Sequence, residues 1–251
     1  METGILVQRD DHVTTVTLNR ADKLNAMTRA MWRELRSVFL AIQADASVRC
    51  VVVRGAGEHF CAGGDIGEYP SFRFDEAALR RFHEEEVWGA LSAMLECDVP
   101  LLASIRGVCM GAGVEIASTC DLRLSTDAAK FGAPIARLGF PMAPREAELV
   151  GCAVGDMTAR AMLLAAEVFT PGHMAAQGFL THVVTAAALD GATDTLARRI
   201  AGMAPQAARL NKQTLRALRS GQSIAMPFAY ADSPEHHEGI DAFIAKRPPH
   251  F

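Results

Sequence analysis

Two glycine-rich segments, about 45 residues apart, carry the pattern that most directly suggests chemistry. Residues 60–65 read FCAGGD and residues 109–115 read CMGAGVE. Each follows a predicted strand and opens a predicted helix, where backbone N–H groups are unpaired and the helix dipole is positive. Glycine also lets a backbone approach a ligand closely. If the two helix starts converge, they can form an oxyanion hole.

Either segment alone has an ordinary interpretation, because glycine after a strand usually marks a tight turn or close helix packing. The pairing of two such segments favours the functional interpretation. Neither segment fits the G-x-x-x-x-G-K-[ST] or G-x-G-x-x-G pattern, so a nucleotide-phosphate loop is a poor interpretation.

Glu115 is the leading candidate for an acid-base group. It lies three positions after Ala112 on the same predicted helix, so both residues face the same side. Its neighbours are apolar, which argues against a solvated surface position. Burial would raise the pKa of this carboxyl toward the range of a working general base.

Composition restricts the class of protein. The chain has 251 residues, half of them hydrophobic, and a formal net charge of -4. It can therefore bury a large core, and it lacks the basic excess typical of nucleic-acid binding. It contains no apolar run of membrane-spanning length and no visible secretory signal. Six scattered cysteines without a C-x-x-C pair predict neither zinc nor disulfides, so we expect a cytoplasmic protein without a bound metal.

Strands that alternate with helices are predicted through the first part of the chain, and helices alone follow residue 186. The predicted strands are residues 13–18, 50–53, 101–105 and 122–124. The predicted helices are residues 28–43, 75–96, 112–119, 192–202, 205–220 and 234–245.

The chain resembles the crotonase, or enoyl-CoA hydratase/isomerase, superfamily. The resemblance rests on LNRADKLNA at residues 18–26, on the two glycine-rich segments, on CDLR at 120–123 and on FGAP at 131–134. AAQGF at 175–179 and GIDAFIAKR at 239–247 extend it across nearly the whole chain. These motifs are specific to the superfamily and not to one of its reactions.

The resemblance implies an α/β fold in which a spiral of β-β-α units, residues 1–190, holds the CoA-thioester site. Residues 191–251 would form a helical region that assembles a homotrimer or a dimer of trimers. The substrate would be an acyl-CoA thioester, with coenzyme A entering only as part of it, and no further cofactor is implied.

The resemblance also assigns site residues. It makes Gly64 and Ala112 the two oxyanion donors and Glu115 a catalytic glutamate. It implies a substrate-binding set of Lys23, Leu24, Ala26, Ala62, Asp65, Ile66, Ile135, Phe243 and Lys246. Helix capping is the competing interpretation for Asp65, and the last two residues would reach a neighbouring subunit's site.

The sequence departs from the family pattern on one side of the site. The family's hydratases carry a second glutamate after the proline of the FGAP segment, and Ile135 stands there. The glycine-rich stretch that usually follows is replaced by FPMAPREAE at residues 140–148. Glu146 or Glu148 could take the place of the missing carboxylate, and Arg145 could pair with them or bind an acidic acyl group. His59 and His83 could line the acyl pocket, although a structural role is the ordinary expectation for a lone histidine.

Three functions therefore remain open. The first is an enoyl-CoA hydratase or isomerase that uses Glu115. The second is a decarboxylase or thioester hydrolase on the same scaffold, and the third is a non-catalytic binder of CoA thioesters. A single base is sufficient for a 1,3-proton shift, whereas efficient hydration divides its work between two groups. The acyl group and the choice between trimer and hexamer are not fixed by the sequence.

Overall fold

A computed structural model describes residues 4–251 and contains two sheets. The strands are β1 (Ile5–Asp10), β2 (Val13–Leu18), β3 (Cys50–Gly55), β4 (Leu101–Ile105), β5 (Val108–Met110), β6 (Leu122–Thr126), β7 (Lys130–Gly132), β8 (Val168–Phe169) and β9 (His182–Val184). The larger sheet has the order β1-β2-β3-β4-β6-β9, with an antiparallel β1–β2 pair and parallel pairs elsewhere. The smaller sheet has the order β5-β7-β8.

Ten α-helices surround these sheets within the described residues. They are α1 (Arg29–Ala44), α2 (Glu76–Arg81), α3 (Trp88–Glu96), α4 (Ala112–Thr119), α5 (Pro144–Val154), α6 (Asp156–Leu164), α7 (Pro171–Ala176), α8 (Leu189–Ala201), α9 (Pro205–Arg219) and α10 (Pro234–Ile244). Short 3-10 helices cover Ala21–Lys23, Ile66–Ser71, Pro134–Leu138 and Ala186–Ala188.

The two sheets arise from a repeated unit, as the crotonase-like prediction requires. After β4 the chain forms β5 and then α4, and after β6 it forms β7 and the 3-10 helix at Pro134–Leu138. The first strand of each unit joins the large sheet and the second joins the small one. Each turn of the spiral therefore returns a loop and a helix start to the same side of the molecule.

The main core fills the space between the sheets and the helices α1, α3 and α4. Helix α1 begins where the Thr28 hydroxyl accepts a hydrogen bond from the Met31 N–H at 3.1 Å, as the sequence predicted. Its apolar face buries Trp32, Leu35 and Phe39. A separate apolar layer packs α8 against the other face of the large sheet through Leu196 and Ala197.

The predicted strands and helices are present. The predicted helix at 75–96 contains a π-helical turn at Phe82–Val87, which divides it into α2 and α3. Strands β1, β5, β7, β8 and β9 and helices α5, α6 and α7 were not predicted. The predicted domain boundary near residue 190 stays a prediction. Within residues 4–251, none of the helices combines the length and the apolar character needed to span a bilayer.

Candidate active site

The two glycine-rich segments lie side by side. Cys61 and Cys109 form an isolated parallel bridge that extends the small sheet by one position. The Cys61 N–H donates to the Val108 carbonyl at 3.0 Å, and the Met110 N–H donates to the Cys61 carbonyl at 2.8 Å. Two regions 48 residues apart in sequence are thereby fixed at hydrogen-bonding distance.

Gly113 allows α4 to approach the first segment closely. A Cβ at this position would lie 2.6 Å from the Cys61 carbonyl oxygen, which is too short for an undisturbed contact. Gly111 precedes the helix with φ of +47°, a conformation that side chains other than glycine's rarely adopt. These glycines therefore serve both the packing and the shape of the site.

Gly64 and Ala112 both line one cavity of about 330 Å³. Within residues 4–251, the backbone N–H of neither residue donates a hydrogen bond. Ala112 is the first residue of α4, so its N–H has no intrahelical acceptor. The cavity wall thus presents two unpaired backbone donors from different segments.

Glu115 lies in the same cavity wall, one turn along α4. The residue is partly buried, and no hydrogen bond to its carboxyl is formed within residues 4–251. Burial, followed by the charge of Glu146, raises its pKa to about 8, from 4.5 for an ordinary glutamate. The charge of Arg73 acts in the opposite direction and is the smaller influence.

A histidine and a buried glutamate form a second polar group at the site. His83 belongs to the cavity wall, and its Nδ1 lies 3.1 Å from Oε1 of Glu146. Glu146 is only 2% exposed and stands in the first turn of α5, where the helix dipole stabilises a negative charge. An ionised carboxylate can only accept, so it orients the imidazole with a proton on Nδ1.

An arginine also lines this cavity. The guanidinium of Arg73 lies 3.6 Å from the centre of the Phe140 ring and 4.5 Å from that of Tyr69. The two rings meet edge to face at 74°, so they fix the arginine from two sides. The hydroxyl of Tyr69 reaches Gly64, where an added Cβ would lie 2.2 Å from it.

The predicted site residues divide into two groups in the structure. The cavity wall contains Ala62, Gly64, Ile66, Ala112, Glu115 and Ile135. The remaining predicted residues are Lys23, Leu24, Ala26, Asp65, Phe243 and Lys246, and they do not border it.

The residues outside the cavity have local roles or stay untested. Asp65 caps the 3-10 helix at Ile66–Ser71 by accepting from the Gly67 N–H at 2.9 Å, and it pairs with Arg20 at 2.9 Å. The Leu24 carbonyl accepts from the Ala62 N–H at 2.9 Å, which ties the turn at Ala21–Lys23 to the first segment. Phe243 is 84% exposed on α10, and its predicted contact with a neighbouring subunit stays a prediction.

The sequence did not point to Tyr69, Arg73 or Phe140 as site residues. For His83, a structural role was the ordinary expectation. No local motif marks these residues, because each belongs to the cavity through a different element. Arg145 was a candidate to pair with Glu146 or Glu148 or to bind an acidic acyl group. It lies over the Trp88 ring at 5.6 Å and is not part of the cavity wall.

The spiral of β-β-α units with this cavity between its loops defines the class of proteins with the crotonase fold. The family model described as enoyl-CoA hydratase/isomerase matches residues 8–251, and the chain belongs to that family.

Known relatives match over almost their whole length. A probable enoyl-CoA hydratase of Mycobacterium bovis is 31% identical, over 98% of this chain and 97% of the relative. A 2,3-dehydroadipyl-CoA hydratase of Escherichia coli K12 is 30% identical, over 98% of each protein. Among solved structures, an enoyl-CoA hydratase/carnithine racemase from Magnetospirillum magneticum has a TM-score of 0.96 and 33% identity, over 100% of this chain and 96% of that one.

Proposed function

We propose that this enzyme binds an acyl-CoA thioester with the carbonyl oxygen between the N–H groups of Gly64 and Ala112. Both donors are unpaired and border the same cavity, as an oxyanion hole requires. Negative charge that develops on the thioester oxygen is stabilised there. Removing one donor of such a pair typically costs roughly 10²–10³-fold in rate.

Glu115 moves the proton in the proposed reaction. The observation that carries this assignment is a carboxyl with a pKa of about 8 in the wall of the same cavity as the two donors. A group with a pKa near the working pH can both accept and return a proton. Retention of such a buried acid also favours an enzyme over a non-catalytic binder.

The reaction that this arrangement supports best is a 1,3-proton shift in an enoyl-CoA. Glu115 takes a proton from C2 of a 3-enoyl-CoA, and the resulting dienolate is held by the two N–H groups. The protonated Glu115 then returns the proton to C4, which yields the 2-enoyl-CoA. Ile135 suits this reaction because it adds an apolar side chain to the cavity wall and leaves Glu115 without a carboxylate partner in that position.

Hydration of a 2-enoyl-CoA is the second candidate function, and the His83–Glu146 pair favours it. An oriented imidazole in the cavity wall can hold a water molecule and accept its proton. In this scheme Glu146 positions His83, whereas the sequence left open whether Glu146 or Glu148 could replace the missing carboxylate directly.

Separate assays of isomerisation and hydration test the proposal. The wild-type enzyme should convert a 3-enoyl-CoA to the 2-enoyl-CoA faster than it hydrates the latter. Glu115→Gln should lose about 10²-fold or more in kcat for both reactions while keeping its affinity for the thioester. Undiminished turnover by Glu115→Gln would remove Glu115 from the mechanism. Malonyl-type and saturated acyl-CoAs in the same panel test decarboxylation and hydrolysis.

A trimer, alone or paired as a hexamer, is also proposed. Large apolar side chains on the C-terminal helices and the loop between them are exposed in the single chain. They include Leu215, Leu218, Met226, Phe228, Phe243 and Ile244. This number of large exposed apolar side chains in one part of the chain favours an interaction surface. Light scattering at micromolar concentration should give a trimer or hexamer, and a monomer would contradict the proposal.

A cytoplasmic location accords with five buried free cysteines.

A further inference from the structure

Arg73 is a cationic residue of the cavity wall whose function is unassigned. It is half-buried, and the rings of Tyr69 and Phe140 hold its guanidinium from two sides. Contact with aromatic faces leaves the N–H groups on the guanidinium edge available for hydrogen bonding. Within residues 4–251 these donors bind no carboxylate and no carbonyl.

An arginine removed from water without an acidic partner is uncommon, because desolvation of a charge is costly unless hydrogen bonds replace the lost water. Burial lowers the pKa of Arg73, whereas Tyr69 and Glu115 act in the opposite direction and more weakly. Within residues 4–251, neither of these two groups forms a hydrogen bond or an ion pair with the guanidinium. The cavity therefore contains a positive charge without an ion-pair partner.

Two other arginines stand near this region and fit less well. Arg137 borders the cavity but is exposed, and it donates to the Ala166 carbonyl at 3.4 Å. Arg145 packs over Trp88 outside the cavity wall. Arg73 alone of the three combines partial burial, a fixed orientation and a position in the wall that it shares with Glu115.

We propose that Arg73 binds a carboxylate carried by the acyl group, so that the preferred substrates are thioesters of dicarboxylic acids. Arginine matches a carboxylate with two parallel charge-assisted hydrogen bonds, which gives both affinity and orientation. This inference rests on the proposed function only in placing the acyl chain in the cavity of Glu115. A phosphate of coenzyme A is the other anion that could reach this side chain, and the experiment separates the two.

Equilibrium binding of unreactive saturated thioesters tests the assignment without requiring turnover. Calorimetric titration would compare succinyl-CoA with butyryl-CoA, glutaryl-CoA with pentanoyl-CoA, and adipyl-CoA with hexanoyl-CoA. Each pair has the same chain length and differs only in its terminal group. The wild-type enzyme should bind at least one acidic thioester about tenfold or more tightly than its neutral partner. The chain length with the largest preference shows how far the acyl carboxylate must extend from the thioester to contact Arg73.

The variant Arg73→Met should lose this preference while its affinity for the neutral thioesters changes less than about threefold. Arg73→Lys should keep part of it, because a lysine retains the charge without the paired geometry. Arg137→Met is the matched control and should keep the full preference. Circular dichroism and thermal unfolding confirm that each variant is folded.

Three outcomes would overturn the proposal. One is an equal affinity of the wild-type enzyme for the two members of every pair. Another is a parallel loss of affinity by Arg73→Met for acidic thioesters, neutral thioesters and free coenzyme A, which assigns Arg73 to a CoA phosphate. The third is loss of the preference in Arg137→Met alone.

Failure of the proposed reaction gives a different result. An enzyme that binds acidic thioesters through Arg73 but neither isomerises nor hydrates enoyl-CoAs contradicts the reaction and leaves the assignment of Arg73 intact.

Discussion

The cavity has two walls that are built on different principles. The first wall consists of the glycine-rich segments and α4, and it contributes the N–H groups of Gly64 and Ala112 together with Glu115. The second wall contributes the side chains of Tyr69, Arg73, His83, Ile135 and Phe140. We call these the backbone wall and the side-chain wall.

The two walls differ in how readily a substitution can change the groups that line them. On the backbone wall the two proposed oxyanion donors belong to the main chain, and close contacts such as that of Gly113 with Cys61 allow almost no displacement. On the side-chain wall the lining groups are side chains from several elements, and a substitution replaces them one at a time. We therefore expect the backbone wall to supply chemistry common to the family and the side-chain wall to select substrate and reaction.

The largest effect is expected from a change that displaces the backbone wall. In Gly113→Ala the new methyl group would lie 2.6 Å from the Cys61 carbonyl oxygen, so α4 must shift. A displacement approaching 1 Å costs about 10²-fold in kcat. Steady-state kinetics should show this loss for isomerisation and hydration alike.

Gly191→Ala, in α8, is the control for Gly113→Ala because nothing lies near its added methyl group. It should leave kcat unchanged. A Gly113→Ala enzyme with kcat within twofold of wild type would show that the backbone wall tolerates displacement, and the contrast between the walls would fail.

The pH dependence of stability probes the buried carboxyl of the backbone wall. Since the folded-state pKa of Glu115 is raised to about 8, the native state holds a proton that the unfolded chain releases near pH 4.5. Stability from this group is complete below pH 4.5 and is lost as the pH rises through 8. Glu115→Gln should therefore become more stable than wild type by roughly 2 kcal/mol at pH 9, a value discounted for exposure to the cavity.

Urea unfolding of both proteins between pH 5 and pH 9 measures this difference. The two free energies of unfolding should converge at the acid end. A difference that stays constant across this range would mean that the pKa of Glu115 is not raised.

A smaller and more selective effect is expected on the side-chain wall. Glu146→Gln removes the negative charge that orients His83, so hydration should fall about tenfold while isomerisation changes less. The same substitution removes one of the causes that raise the pKa of Glu115, so the pH profile of isomerisation should shift to lower pH. A purely structural role for Glu146 would not shift that profile. Glu148→Gln, at an exposed position of the same helix, is the control.

The smallest change is expected from restoring an acid at Ile135. Ile135→Glu should raise hydration of a 2-enoyl-CoA by only a factor of a few. The supporting segment at residues 140–148 also differs from the family pattern, and a catalytic group that is slightly misplaced loses most of its effect on the rate. Ile135→Gln adds a polar group without the charge and serves as the control. Hydration by the wild-type enzyme near the diffusional ceiling of about 10⁸ M⁻¹s⁻¹ would show that Ile135 does not limit this reaction.

The sequence indicated the residues of the backbone wall better than those of the side-chain wall. Gly64, Ala112 and Glu115 line one cavity in the structure, and their spacing within two short segments specifies a loop and a helix start. The segment at residues 140–148 was identified as unusual, but its consequence was not. Phe140 fixes Arg73 on another element, and Glu146 fixes His83 through α5. Arg145, the sequence's candidate for binding an acidic acyl group, packs outside the cavity wall.

The sequence by itself determined the family, the alternation of strands and helices, and the backbone wall, because these depend on local spacing, helix capping and the conformational freedom of glycine. The tertiary structure alone decided which distant side chains complete the cavity and how they are charged. Arg73 and Phe140 are 67 residues apart, and His83 and Glu146 are 63 apart, so no local pattern records their contact. The pKa of Glu115 is likewise decided by the folded chain, because desolvation and the charge of Glu146 act on it only once the protein surrounds it.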